Sequence, residues 1–280
     1  MQIKDIIVLG CTSWIGFKLT KELHALGYIV RGTSRNSVVG MPWLKSHHQI
    51  VDTADIVELL HNFQPYCIIN LLRGEDEESW DIFCSSLTTE SYYIYMSSSL
   101  ALDGYSPDTL LTDNLTPNSV SKYGTFKARC EQKLKGHTKT HLIVRFNSIH
   151  GLVPHKITRT QSFIEKLRNN ECIVVDTEVV QSRLLDDVFI EYLIYHLRNK
   201  TLGTIHLASN QKSEEIDFLS TLASNLGFKN KSIVPGTSRN LYNALEPSKH
   251  MMPDGEYKTL TDVDLIKRFF ASRELQNLLT

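Results

Sequence analysis

Residues 8–16 read VLGCTSWIG. An apolar, β-branched run over 3–9 ends at Gly10. Ile15, Leu19, Leu23 and Leu26 then fall on one helical face before Gly27 stops the pattern. The stretch reads as buried strand, tight turn and helix. Gly10, Ser13 and Gly16 stand at intervals of three. Such a turn aims the unsatisfied N–H groups of a helix N-terminus at one point, where an anion is favoured. Without a ligand it is simply a compact strand-to-helix connection.

The alternation continues outward from this turn. Strands are expected at 28–33, 49–51, 67–72, 92–96 and 141–146, and helices at 56–63, 80–87 and around 121–131. After Gly151 the alternation weakens, with helical patterns at 161–168, 188–197 and 216–226. Strand followed by helix, repeated, predicts an α/β protein with helices on both faces. The expected fold is a Rossmann-type doubly wound parallel sheet with a smaller C-terminal lobe. Residues 1–150 with about 181–210 would form the nucleotide-binding domain, and about 151–180 with 211–280 the lobe.

Composition narrows the function. The 280 residues are 41% apolar and 22% charged with a net charge of −1, so nothing suggests nucleic-acid binding. Five scattered cysteines include no Cys-x-x-Cys pair, and the 11 histidines show no His-x-x-x-His zinc helix, so neither a disulfide framework nor a metal site is expected. His47-His48 reads as solvated loop, and residues 75–79 as a solvated helix start. No run approaches the ~20 apolar residues of a membrane span, and the first residues are too short for a signal peptide. The expected location is the cytoplasm.

In a dinucleotide fold the first turn usually reads Gly-x-x-Gly-x-x-Gly, with backbone N–H groups facing a pyrophosphate. Here Gly10, Ser13, Trp14, Ile15 and Gly16 would form that cradle, with serine as the smallest polar substitute at the middle position. An NAD-specific site places an acid about 20 residues further on. No acid occurs between Glu22 and Asp52; Arg31, Ser34 and Arg35 occupy the zone instead. Arginine there suits a 2′-phosphate, so NADPH is expected over NADH. Asp52 either touches adenine or caps the helix that follows.

QPYCIIN, MSSSLALDG, YGTFKARCE and RFNSIHG occur in that order. Together they resemble extended short-chain dehydrogenases. The resemblance implies that Asn70, with Leu71 and Leu72, lies beside the cofactor. It also implies that Ser98, Tyr123 and Lys127 form the catalytic set. His150 stands where the family pattern has tyrosine. A narrower likeness, to the dTDP-4-dehydrorhamnose reductase family, rests on SSSLALDG, CIVVDTEVVQSRLLDDV and RNLYNALEPSK. The second of these resembles a strand pair leading into an Asp-capped helix. In the third, Arg239, Leu245 and Lys249 match. The chain departs from the family at Ser13, Ser99, Leu100 and Asn240. The resemblance implies a nucleotide-sugar substrate contacted by Ser98, Ser99, Asn147, Arg183 and Arg239, and it is compatible with a homodimer. Alternatives are a nucleotide-sugar epimerase, another keto-sugar reductase, or a non-catalytic regulatory subunit that keeps the fold.

Tyr123 and Lys127, four residues apart, share a helical face. A free phenol has a pKa of about 10 and leans toward its protonated form. An ammonium at about 4 Å, with an effective dielectric near 20, favours phenolate by up to roughly 4 kcal/mol before desolvation. That would bring the acid–base couple nearer neutrality. Ser98 would stabilise developing charge on a carbonyl oxygen; read alone, it is a strand-end cap.

Overall fold

The computed structural model describes residues 4–36, 40–72, 77–85, 87, 90–228, 233–248, 261–272, 275–276 and 278. Lys249 lies outside them. In chain order the elements are β1 (Asp5–Leu9), α1 (Trp14–Ala25), β2 (Ile29–Ser34), β3 (Ser46–Gln49), α2 (Thr53–Phe63), β4 (Cys67–Asn70), α3 (Glu77–Ser85), β5 (Tyr92–Met96), α4 (Lys122–His137), β6 (His141–Phe146), β7 (Ser148–His150), α5 (Arg159–Arg168), β8 (Ile173–Leu185), α6 (Asp186–Asn199), β9 (Gly203–Leu207), β10 (Lys212–Glu214), α7 (Glu215–Asn225), β11 (Ile233–Tyr242) and α8 (Asp262–Phe270).

Seven parallel strands form the main sheet in the order β3-β2-β1-β4-β5-β6-β9. This is the expected Rossmann-type arrangement. Its central strands are apolar on both faces, as a sheet covered twice requires. Ile6 and Val8 of β1 pack with Leu19 and Leu23 of α1 and with α6. Ile7 and Leu9 face the other way, against Leu59 and Leu60 of α2, Phe83 of α3 and Leu134 of α4. The period-2 alternation of the strand thus feeds two separate cores. Among the described residues no helix is long and apolar enough to cross a membrane.

The second sheet has the order β10-β8-β11, with β7 on the end of β8. Where sequence pattern suggests a strand pair, β8 is one 13-residue strand. Its valines on both sides of Glu178 pair with β11 from Ile173 to Val180, and Glu178 absorbs the interruption with φ of 56°. β3 corrects a second expectation. His47 and His48 are in a strand rather than a solvated loop. Ser34 and Ser46 each hydrogen-bond one of the two rings at 2.8 Å.

The start of α4 is fixed by sterics. Ser121 accepts the Gly124 N–H at 3.1 Å and caps the helix. Gly124 then meets the 3₁₀ turn at Ser99–Leu102 so closely that a Cβ there would overlap the Leu100 carbonyl oxygen and Ser119 Oγ. Alanine usually gains up to ~1 kcal/mol over glycine inside a helix. Here overpacking against backbone dominates, at about 1–3 kcal/mol. Gly124→Ala is therefore expected to lower the urea midpoint of unfolding, and a raised midpoint would show that α4 can back away from the turn.

Candidate functional site

Open α/β sheets hold their ligands outside the carboxyl ends of their strands. The turn after β1 lies at that end. Gly10 has φ of +85°, which favours glycine. Ser13 caps α1, its Oγ accepting the Gly16 N–H at 3.0 Å. A Cβ on Gly16 would overlap the Gly10 carbonyl oxygen. The first helical bond runs from Phe17 N–H to Ser13 O, so the N–H groups of Trp14 and Ile15 precede the ladder. The Trp14 indole N–H donates to Asp186 Oδ2 at 2.7 Å. Burial pushes the Cys11 thiol up to about 12, so it is no nucleophile at neutral pH.

At the end of β4, Asn70 is buried. Its Oδ1 accepts the Leu72 N–H at 2.9 Å and its amide donates to Tyr93 at 2.7 Å. A Cβ added to Gly10 would meet Leu72 at 3.4 Å and Leu71 at 3.6 Å. Asn70, Leu71 and Leu72 thus stand against the glycine turn.

Two expected cofactor residues are placed elsewhere. Arg31 is ion-paired to Asp5 at 2.9 Å, donates to Ser46 and lies over the Phe63 ring at 4.0 Å. It sits on the opposite side of β2 from Ser34, because successive strand residues face opposite ways. Asp52 forms a reciprocal capping box with Asp55 at the start of α2, which satisfies orphan helix donors. Ser34 and Arg35 remain at the strand end.

Ser98 follows β5 and caps the 3₁₀ turn, its Oγ accepting the Leu100 N–H at 3.2 Å. Tyr123 and Lys127 come from α4. Lys127 is 2% exposed, and its ammonium donates to Met96 O at 2.9 Å. The ammonium lies 4.8 Å from the Tyr95 ring centre and 5.7 Å from that of Tyr123. A lysine is seldom buried this fully without a specific partner. The structure thus brings Lys127 to Tyr123 and to the strand end that carries Ser98.

One further helical turn along sits a group that sequence reading missed. Glu131 is fully buried and accepts two bonds from Arg145, at 2.9 and 2.7 Å. It also accepts the Ser97 hydroxyl at 2.5 Å. Arg145 extends to Leu115 O and to Nε2 of His206, whose other nitrogen faces Glu246 O. The spacing Tyr123, Lys127, Glu131 is i, i+4, i+8, so the helical face was visible in the sequence. The arginine across the sheet was not.

The expected substrate residues separate. Ser99 is buried in the 3₁₀ turn. Asn147 donates to both Asn243 O and Asn243 Oδ1, tying the end of β6 to the segment after β11. Arg183 has no exposed surface. Glu215 and Ser213 hold its guanidinium at 3.0 and 2.6 Å, above the Phe218 ring. Arg239 is exposed on β11 and paired with Asp176 at 2.6 Å. Among the described residues no group of three His, Cys, Asp or Glu side chains gathers to hold a metal.

A doubly wound parallel sheet carrying a glycine turn, with a second small sheet over its carboxyl edge, defines a Rossmann-type protein with an added lobe. Within that class the chain shares the fold of dTDP-4-dehydrorhamnose reductases. It superimposes on the Bacillus anthracis enzyme in complex with NADP with a TM-score of 0.79, at 15% identity, over 96% of this chain and 99% of that one. It is similar to the Bordetella bronchiseptica enzyme WbmH in complex with NAD+, with a TM-score of 0.76, 13% identity, and coverage of 97% and 100%. It is also similar to the UDP-N-acetylglucosamine 4-epimerase of Bacillus cereus, with a TM-score of 0.72, 16% identity, and coverage of 96% and 98%. No protein-family model and no curated protein sequence matches the chain.

Four buried histidines, His141 among them with its pKa also lowered by burial, give a pH signature. Burial pushes His150 and His196 down to about 4 and, helped by the neighbouring Arg145 charge, His206 to about 3. The unfolded chain takes up these protons first, near the ordinary value of about 6.5. Their contribution to stability is therefore complete above about pH 6.5 and is lost as pH falls through the folded values. Asp186 and Asp262, raised by burial, oppose this over a lower range. Urea unfolding between pH 7.5 and 4.5 should show stability falling from about pH 6.5 downward. A flat profile would mean that the histidines take up protons within the fold.

Proposed function

We propose that this chain is an NAD(P)H-dependent reductase that converts a nucleotide-diphospho-4-keto-6-deoxy sugar to the 4-hydroxy sugar. The observation that carries the reading is the burial of Lys127 between the end of β5 and Tyr123. The glycine turn fits a dinucleotide: a Cβ would fill it at Gly16, and the N–H groups of Trp14 and Ile15 would meet the pyrophosphate. The main sheet, from residues 1–150 and about 181–210, would hold the cofactor. The remainder would close over the sugar nucleotide.

When bound, the cofactor supplies hydride. The chain's own residues handle the proton and the charge. Tyr123 would donate its proton to the ketone oxygen. Lys127 would stabilise the negative charge left on the tyrosine oxygen. Ser98 Oγ accepts the Leu100 N–H, which leaves the hydroxyl proton as a donor to the reacting carbonyl. Arg183 is held by Glu215 and Ser213, so Arg239 would be the arginine to meet substrate phosphate, by exchanging Asp176 for it.

Likeness to a 4-epimerase supports a second reading, in which hydride removed from the sugar to the cofactor would return to the opposite face while the same side chains take up and give back the proton. NADPH consumption against a panel of keto nucleotide sugars separates the two, because an epimerase consumes no reductant overall. Tyr123→Phe should cut turnover about 100-fold or more, with cofactor affinity little changed. Near-wild-type turnover of that variant would remove Tyr123 from the mechanism.

The cofactor reading favours NADPH, through Ser34 and Arg35. Wild type should bind NADPH more tightly than NADH, and Arg35→Ala should narrow the gap as a phosphate contact is lost. Titration of both dinucleotides against both proteins is the measurement. Equal affinities in wild type would overturn the preference.

A further inference from the structure

Asp186 is the first residue of α6, where β8 leaves the second sheet and the chain returns to the first. It is only 4% exposed. One oxygen, Oδ2, accepts the Trp14 indole N–H at 2.7 Å and pairs with the Lys18 ammonium at 2.7 Å. Trp14 and Lys18 are one turn apart on α1, so both come from the same helical face. Gly151 packs against the carboxylate so closely that a Cβ there would overlap it. The carboxylate is thus tied to α1 through one oxygen and lies against the chain at Gly151.

Stability alone is a poor reason for this arrangement. A buried ion pair seldom outperforms apolar packing of the same volume. Nor does the charge itself help an anion bind at α1, since a carboxylate repels a pyrophosphate. Lys18 cancels that repulsion locally, which leaves the geometric effect. Trp14 is the first residue of α1, and its backbone N–H is one of the two donors that precede the helical ladder. Ser13 stands where a glycine would leave the turn most freedom, and its hydroxyl already takes the Gly16 N–H. The orientation of the remaining donors depends on how the first turn of α1 is held.

We propose that Asp186 is a positioning residue for the glycine turn: through the Trp14 indole it fixes the backbone donors of the first turn of α1 and couples them to the junction with the second sheet. The inference rests on the reading that this turn holds a dinucleotide. A preformed anion site binds more tightly because less ordering remains to be done on binding.

The test is calorimetric titration of the full chain with NADPH and with NADH, for wild type, Trp14→Phe, Asp186→Asn and the double variant, beside urea unfolding of each. Trp14→Phe keeps an aromatic ring in place while removing the indole donor and the second ring. It should weaken dinucleotide binding about tenfold, the scale of a hydrogen bond to a charged group. Adding Asp186→Asn should weaken binding no further than the worse single variant, because both changes break the same tie. If Asp186→Asn fails to fold, the loss of affinity in folded Trp14→Phe still decides. Wild-type affinity in Trp14→Phe, or losses that simply add, would overturn the proposal while leaving the cofactor reading intact. Failure of wild type to bind either dinucleotide would overturn both.

Discussion

The docking of α4 on the end of β5 is the constraint on which the candidate site depends. Three contacts at successive helical levels define it. Gly124 brings the helix against the Leu100 carbonyl, Lys127 donates to Met96 O, and Glu131 accepts the Ser97 hydroxyl. The strand end is therefore gripped on both sides of the point where Ser98 emerges. None of these contacts is itself chemical, yet each sets the distance between a strand-borne hydroxyl and a helix-borne phenol. Misplacement by about 1 Å can cost two orders of magnitude in rate.

Glu131 and Arg145 carry the rigidity further. Both are buried, and Arg145 forms two parallel bonds to the carboxylate, the geometry in which a charge pair best offsets its desolvation. Removing either partner would leave an uncompensated buried charge, at about 3–5 kcal/mol. Arg145 donates to Nε2 of His206, so His206 presents a lone pair there and carries its proton on Nδ1, toward Glu246 O. Its depressed pKa is consistent with this neutral form. The His206 N–H meets Ser248, which in turn bonds Asp113. One polar network thus runs from the catalytic candidate helix to the segment that follows β11. A site between the two sheets needs such a link if each is to report the position of the other.

What was legible in the sequence was local. The glycine turn, the alternation of strands and helices, and the Tyr123–Lys127 spacing all depend on residues within a few positions of one another. What was missed depends on residues far apart in the chain. Arg31 looked available for a phosphate because Asp5, 26 positions away, is its neighbour only once β1 and β2 pair. Arg183 looked like a diphosphate ligand until β10 and α7 brought Ser213 and Glu215 onto it. Asp52 was the exception: its capping role was readable from Asp55 three residues on, and local chemistry was enough to account for it. Glu131 carries no motif, and Asp186 lies in a family-like stretch that says nothing of its partners; their contacts come from residues 14 and 172 positions away.

The proposed preference for NADPH would rest on how β2 meets the glycine turn. Gly32 lies against the turn after β1, and an added Cβ would meet Cys11 Sγ at 2.7 Å. β2 is therefore pressed onto the glycine turn, and Ser34, two residues on, projects from that same face. His47 stands opposite Gly32 in the β2–β3 register, and its ring nitrogen bonds the Ser34 hydroxyl. Arg31 faces the other way and is held by Asp5. A ribose phosphate beside the turn would thus meet Ser34, backed by His47, with Arg35 next along the chain and no carboxylate to repel it. The absence of an acid between Glu22 and Asp52 would then gain its meaning from Gly32, whose close approach to Cys11 brings the two segments together.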